Sequence, residues 1–172
     1  KGIFRLISAI ARHGVNLMAL LCYAEKAYGQ KTALDDEYEA LSYEALFVQS
    51  QALSFSLNER YRIDSGSRVA FLCKNHSSLV KAIFAVSRLG ASIYLLNAEM
   101  SPLQFKLLLR NHDFDLLVYD DDLLPMVEQS GYAKEKIPSY HDTLPAVNHL
   151  CAASFDRKER LNRTSRGNLV IL

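Results

Sequence analysis

Between residues 69 and 130 the sequence repeats one unit three times: an apolar run, a polar turn, and a segment whose apolar residues recur at helical spacing. The runs, 69–73, 91–96 and 116–119, are largely apolar at successive rather than alternate positions. A strand with one wet face alternates, whereas a strand covered on both faces does not. Strands separated by helices pair in parallel, because a parallel connection needs a crossover of about a dozen residues and the helix supplies it. The three units therefore predict an α/β fold, a parallel, Rossmann-like sheet layered between helices.

Local signals set the expected boundaries. The helix after the first run presents Leu79, Val80, Ile83, Phe84 and Val86 and stops at Gly90, where a residue without Cβ can turn left-handed. Ser101-Pro102-Leu103-Gln104 supplies an N-cap, a proline for the first turn and a glutamine placed to close a capping box, predicting a helix from Pro102 to about Asn111. Asp120-Asp121-Asp122 is read as charge at the amino terminus of a short helix reaching about Ser130, rather than as a cation site. Upstream, Thr32-Ala33-Leu34 and Ala40-Leu41 flank an acidic turn and predict a hairpin. Ser42 caps a helix to about Tyr61, in which Ser50 and Ser54 leave room for a neighbouring layer.

Two amphipathic stretches broken near Gly14 make 1–28 an N-terminal helical segment, packed on the α/β subdomain of 29–172. Peripheral membrane contact through Arg5, Arg12 and His13 is the alternative use of that segment. Residues 131–166 are weakly patterned and read as a connection with a basic stretch, Arg157 to Arg166.

Composition excludes several classes. With 172 residues, 49% apolar, and a net charge of +1, the chain can bury a core without staples and is no dedicated nucleic-acid binder. No run of about 18 apolar residues spans a bilayer, and the start lacks a secretory pattern, so a cytoplasmic location is expected. Cys22, Cys73 and Cys151 have no metal spacing, and Cys73 reads as a buried strand-end thiol. The glycines, at 2, 14, 29, 66, 90, 131 and 167, form neither GxGxxG nor GxxxxGK[ST], and GxSxG and HExxH are absent. His76, alone in a turn, reads as a surface group. The chain opens on Lys1 and closes on the apolar run 168–172, which reads as a strand with polypeptide expected beyond it.

Leu41-Ser42-Tyr43-Glu44-Ala45-Leu46 resembles the first core motif of the adenylate-forming (AMP-binding) superfamily of acyl-CoA synthetases, peptide-synthetase adenylation domains and luciferases. Ser87-Arg88-Leu89-Gly90-Ala91-Ser92-Ile93-Tyr94-Leu95-Leu96-Asn97 is similar to the second core motif, and a capped helix follows it, as in that family. Ser65-Gly66-Ser67-Arg68-Val69-Ala70, then Lys74-Asn75-His76, resembles the corresponding strand and asparagine-bearing turn of bacterial long-chain fatty acyl-CoA synthetases, with Ser67 where aspartate is usual. The likeness extends over residues 15–172.

The resemblance implies the N-terminal part of a ligase that converts a fatty acid, ATP and magnesium to an acyl-adenylate and pyrophosphate, then transfers the acyl group to coenzyme A. In that family a run like 168–172 precedes the Ser/Thr/Gly-rich loop that binds ATP phosphates. The catalytic groups are thus expected downstream, no residue here is assigned to catalysis or metal, and the fragment alone is expected to be inactive. Ligands of open parallel sheets lie beyond the carboxyl ends of the strands, here the turns 74–77 and 97–101. The resemblance puts the second near the adenosine end of coenzyme A and makes Asn97, Ala98 and Glu99 the candidate cofactor-binding residues. Capping of the next helix is their other reading, and Glu99 would repel phosphates unless turned away. Two alternatives stand beside the ligase: a free-standing α/β interaction module, and an adenylation domain loading a carrier protein. The ending Leu95-Leu96-Asn97, unlike the Pro-x-Asp of peptide synthetases, ranks the latter lower.

Overall fold

The computed structural model describes residues 16–142, 145–152 and 169–172. Helix α1 (Leu17–Tyr28) leads into a hairpin of β1 (Thr32–Asp35) and β2 (Ala40–Ser42), and α2 (Tyr43–Tyr61) follows at once. Then come β3 (Arg68–Leu72), α3 (Ser77–Leu89), β4 (Ser92–Leu95), α4 (Pro102–Asn111) and β5 (Leu116–Tyr119). A 3-10 turn (Asp121–Leu123) runs into α5 (Leu124–Ser130), followed by β6 (Glu135–Pro138), α6 (Val147–Cys151) and β7 (Leu169–Ile171).

The main sheet has the order β6-β5-β3-β4-β7, and every neighbouring pair is parallel. Its central strand divides its side chains between two cores. Val69 and Phe71 pack with Leu53 and Leu57 of α2, Val86 of α3 and Leu150 of α6. Ala70 and Leu72 pack with Phe105 of α4, Phe114 and Val127 of α5. Burial on both faces is the reason the runs show no alternation, and each fully buried Phe or Leu contributes roughly 1.5–3 kcal/mol.

The local signals act as read. Ser42 Oγ accepts the Ala45 N–H at 3.1 Å, and the capping box of Ser101 and Gln104 is complete. Gly90 takes φ 75° at the end of α3. Ser67, which stands where an aspartate was expected, accepts the Asp64 N–H at 3.0 Å and donates to Asp64 Oδ1 at 3.2 Å, so the turn draws its carboxylate from three residues earlier. Helix α1 sets Met18 and Leu21 against Leu41, Leu46 and Phe84, an extra layer outside α2 and α3. The rest of the expected N-terminal helical stretch, 3–15, lies outside the described residues, as does the basic stretch 157–166.

One region differs from expectation. The connection read over 131–166 contains β6 and α6, whose Ile137, Val147 and Leu150 are buried. An outer strand with Glu135 and Lys136 exposed and a proline at its end carries little apolar signal, and tertiary pairing with β5 makes it a strand.

Candidate functional site

The turn after β4 carries the three residues singled out in the sequence. Leu96 N–H donates to Phe71 O at 2.9 Å, which keeps the chain on the sheet for one more residue. Asn97 then folds its own turn: Oδ1 accepts the Glu99 N–H at 2.9 Å and its carbonyl accepts the Met100 N–H at 3.1 Å. Asn97 and Glu99 are exposed and Ala98 is half-buried. Ser101 begins α4 by its cap, so Asn97 shapes the turn while the cap belongs to Ser101 and Gln104. The strand β7 runs alongside, and Leu172 N–H donates to Leu95 O at 2.9 Å. The end of β7 therefore lies beside this turn.

The turn after β3, one strand away, is built from buried side chains. Asp120, at the end of β5, accepts the Lys74 N–H at 2.7 Å on Oδ2 and the Ser139 hydroxyl at 2.7 Å on Oδ1. His76 joins it: Nδ1 accepts the Leu79 N–H at 3.1 Å and caps α3, which leaves the proton on Nε2, 2.8 Å from Asp120 Oδ1. Burial pushes the Asp120 carboxyl up, but these hydrogen bonds outweigh it and hold the group down to about 2. Two sequence readings are corrected here. His76 is no surface group, since its side chain is 7% exposed. Asp120 makes no cap for the following helix but turns inward as a clamp, while Asp122 pairs with Lys74.

Cys73, His76 and Asp120 also bring three potential ligand atoms within 4.8 Å of one another. Their chemistry does not suit a cation. The Asp120 oxygens already hold three donors, the imidazole lone pair at Nδ1 is taken, and burial raises the Cys73 thiol well above its usual range, keeping it protonated.

A second, partly buried polar cluster, which the sequence reading missed, lies where the hairpin meets α3. Glu39 Oε1 accepts from Lys81 Nζ, from Ser77 Oγ at 2.6 Å and from the Tyr140 hydroxyl at 3.2 Å. Asp36 Oδ2 accepts the Ser77 N–H at 2.6 Å, and Tyr38 stacks on Tyr140 with ring centroids 4.4 Å apart. Burial favours the neutral Glu39 carboxyl, yet the bonds from Lys81 and Ser77 leave it below its usual value. The available signal was Lys81 itself, a lysine spaced four residues from both Ser77 and Ala85 on the inward stripe of α3, which demands a carboxylate partner.

With this geometry in hand, comparison with known proteins is direct. Residues 23–167 match the AMP-binding enzyme family, and the chain belongs to that family. It is similar to a long-chain-fatty-acid–CoA ligase of Thermus thermophilus, 29% identical over 118 residues, covering 66% of this chain and 22% of the relative. It is also similar to a mitochondrial malonate–CoA ligase of Xenopus laevis, 32% identical over 112 residues, covering 60% of this chain and 19% of the relative. The fold is that of the luciferase-like enzyme from the mealworm Zophobas morio, with a TM-score of 0.79 and 17% identity, over 93% of this chain and 40% of that one. The chain thus spans about a fifth of the length of these two curated relatives. Among the described residues no helix is long and apolar enough to cross a membrane.

Proposed function

We propose that this chain is the N-terminal part of an ATP-dependent acid–thiol ligase that activates a fatty acid as its acyl-adenylate and passes the acyl group to coenzyme A. The observation that carries the reading is the family match over residues 23–167, joined to the likeness to a fatty-acid–CoA ligase. ATP and magnesium are assigned to residues outside this chain, because the resemblance sets the phosphate-binding loop after the run 168–172 and the Asp120 oxygens already hold three donors. The cation supplied there would offset charge developing on the transferred phosphate.

Within the chain, Asn97, Ala98 and Glu99 are the residues proposed to meet coenzyme A. Asn97 Oδ1 is spent on its own turn, which leaves the amide Nδ2 as the donor facing outward. The contribution of the chain is framework and this one contact, so the fragment alone is proposed to be inactive. A cytoplasmic setting accords with three buried cysteines that form no disulfide among the described residues.

The test uses the full-length protein with fatty acids of several lengths, malonate and benzoate, scored by acid-dependent pyrophosphate release and then by thioester formation. Release with fatty acids and transfer to coenzyme A is the expected result. Preference for a short diacid would move the substrate class, and absence of acid-dependent pyrophosphate would remove the reading. Asn97→Ala is expected to raise the KM for coenzyme A about threefold to tenfold with the KM for ATP unchanged, the loss of one hydrogen bond.

A further inference from the structure

Helix α4 has two unlike faces. Phe105 is fully buried in one core with Ala70 and Leu72, and Leu108 and Leu109 pack at its border. Opposite Phe105 run Leu103, Lys106, Leu107 and Arg110, at the i, i+3, i+4 and i+7 spacing of one helical stripe. All four are exposed, Leu103 by 67% and Leu107 by 46%. Scattered surface leucines are ordinary, but two on adjacent turns interleaved with two cations make a patterned face. Among the described residues neither Lys106 nor Arg110 has a side-chain hydrogen bond or ion pair, and α4 holds no carboxylate of its own. The macrodipole accounts for a cation in the last turn, Arg110, but not for Lys106 in the middle or for leucines left in water.

At the carboxyl end of α4 the stripe opens on a depression of about 290 Å³, where Lys106 and Arg110 are joined by Lys134. The one carboxylate lining it, Asp113, is held by Lys134 at 2.6 Å and by Arg68 at 3.2 Å, so the excess charge there is positive. The depression lies just before β5 and β6, at the amino edge of the sheet, opposite the turns 74–77 and 97–101. A second copy of the chain is a poor occupant, because a two-fold contact would set Lys106 and Arg110 against themselves. A ten-residue helix face, about 15 Å by 10 Å, also falls well short of the roughly 800 Å² per partner of a stable protein interface. An anionic bilayer matches both halves of the pattern, since it presents phosphates with an apolar layer directly beneath them. From this complementarity we infer that the outer face of α4 docks on an anionic phospholipid surface. Leu103 and Leu107 pass below the headgroups, while Lys106 and Arg110, with Lys134 across the depression, hold a headgroup phosphate. The inference does not depend on the proposed ligase activity.

The experiment is flotation of the full-length protein with vesicles of phosphatidylcholine alone and with vesicles carrying about 30% phosphatidylglycerol. Binding to the anionic vesicles only, falling as salt is raised, is expected. Leu103→Gln with Leu107→Gln, and separately Lys106→Gln with Arg110→Gln, should each weaken it about tenfold with Tm unchanged, because these side chains lie outside the core. Arg5→Gln with Arg12→Gln, which addresses the N-terminal segment instead, should leave it unchanged. Leu107→Cys can be labelled with a polarity-sensitive dye because Cys22, Cys73 and Cys151 are buried, and its emission should shift to the blue on anionic vesicles. Absence of flotation, or flotation indifferent to both α4 pairs, would overturn the inference. A label already blue-shifted before vesicles are added would overturn it too, by showing that another part of the full-length chain covers α4.

Discussion

The turn after β3 and the turn after β4 leave the same edge of the sheet one strand apart, yet they are held by different means. Lys74 and His76 are tied to Asp120, and Ser77 to Asp36, Glu39 and Tyr140, so side chains from the hairpin and from the ends of β5 and β6 fix one turn. Among the described residues Asn97 bonds only its own turn, and its side chain stays exposed. The first arrangement spends its polar atoms on the fold, while the second leaves them outward at the edge where ligands of parallel sheets sit. A polar cluster is thus no guide to a binding surface until its hydrogen bonds are counted.

The largest expected effect tests the clamp. Asp120→Ala strips the acceptor from His76, Ser139 and the Lys74 N–H, and is expected to cost about 3 kcal/mol in urea denaturation of the full-length protein. A loss below about 1 kcal/mol would show that the first turn does not need its carboxylate, and the contrast would fail.

The acid limb follows with a sign fixed by the same group. The folded carboxyl of Asp120 lies at about 2, beneath its unfolded value, so its contribution is complete above roughly pH 4 and fades as pH falls towards 2. The lost stability is about 2.5 kcal/mol for a displacement of this size. Denaturation curves of Asp120→Asn should run flatter over that window, with the remaining slope left to Asp36, which backbone and side-chain bonds from Ser77 also lower to about 2 despite burial. An unchanged acid limb would mean that the carboxylate is not the group being protonated.

Smaller effects sharpen the other side. Ser101→Ala removes the cap of α4 and is expected to lower stability by about 1 kcal/mol. Asn97→Ala should change stability by less than about 0.5 kcal/mol, as a surface turn residue does, while altering the KM for coenzyme A. If Asn97→Ala destabilised the fold as much as Ser101→Ala, the second turn too would be structural.

Elements with strong local signals were legible residue by residue. The capping box at Ser101 and Gln104, the Gly90 stop and the three apolar runs are short-range facts, each settled within a few positions. Strand direction put the turn at Asn97 on the carboxyl edge together with 74–77, and the resemblance, not the topology, singled it out as the coenzyme A candidate. The buried clusters were not. Asp120 and His76 are 44 residues apart, and Tyr140 and Glu39 are 101 apart. In sequence His76 stands alone and Asp120 stands in an acidic run, and both patterns are commonest on surfaces.

Burial pattern and capping therefore determined, without help, that this chain makes a parallel sheet covered on both faces, since the apolar effect and helix-end hydrogen bonding act over neighbouring residues. Which polar residues go inside was decided only when the sheet brought distant turns together. A carboxylate enters the interior only if donors are waiting there, and those donors come from strands and loops that the chain order keeps far apart.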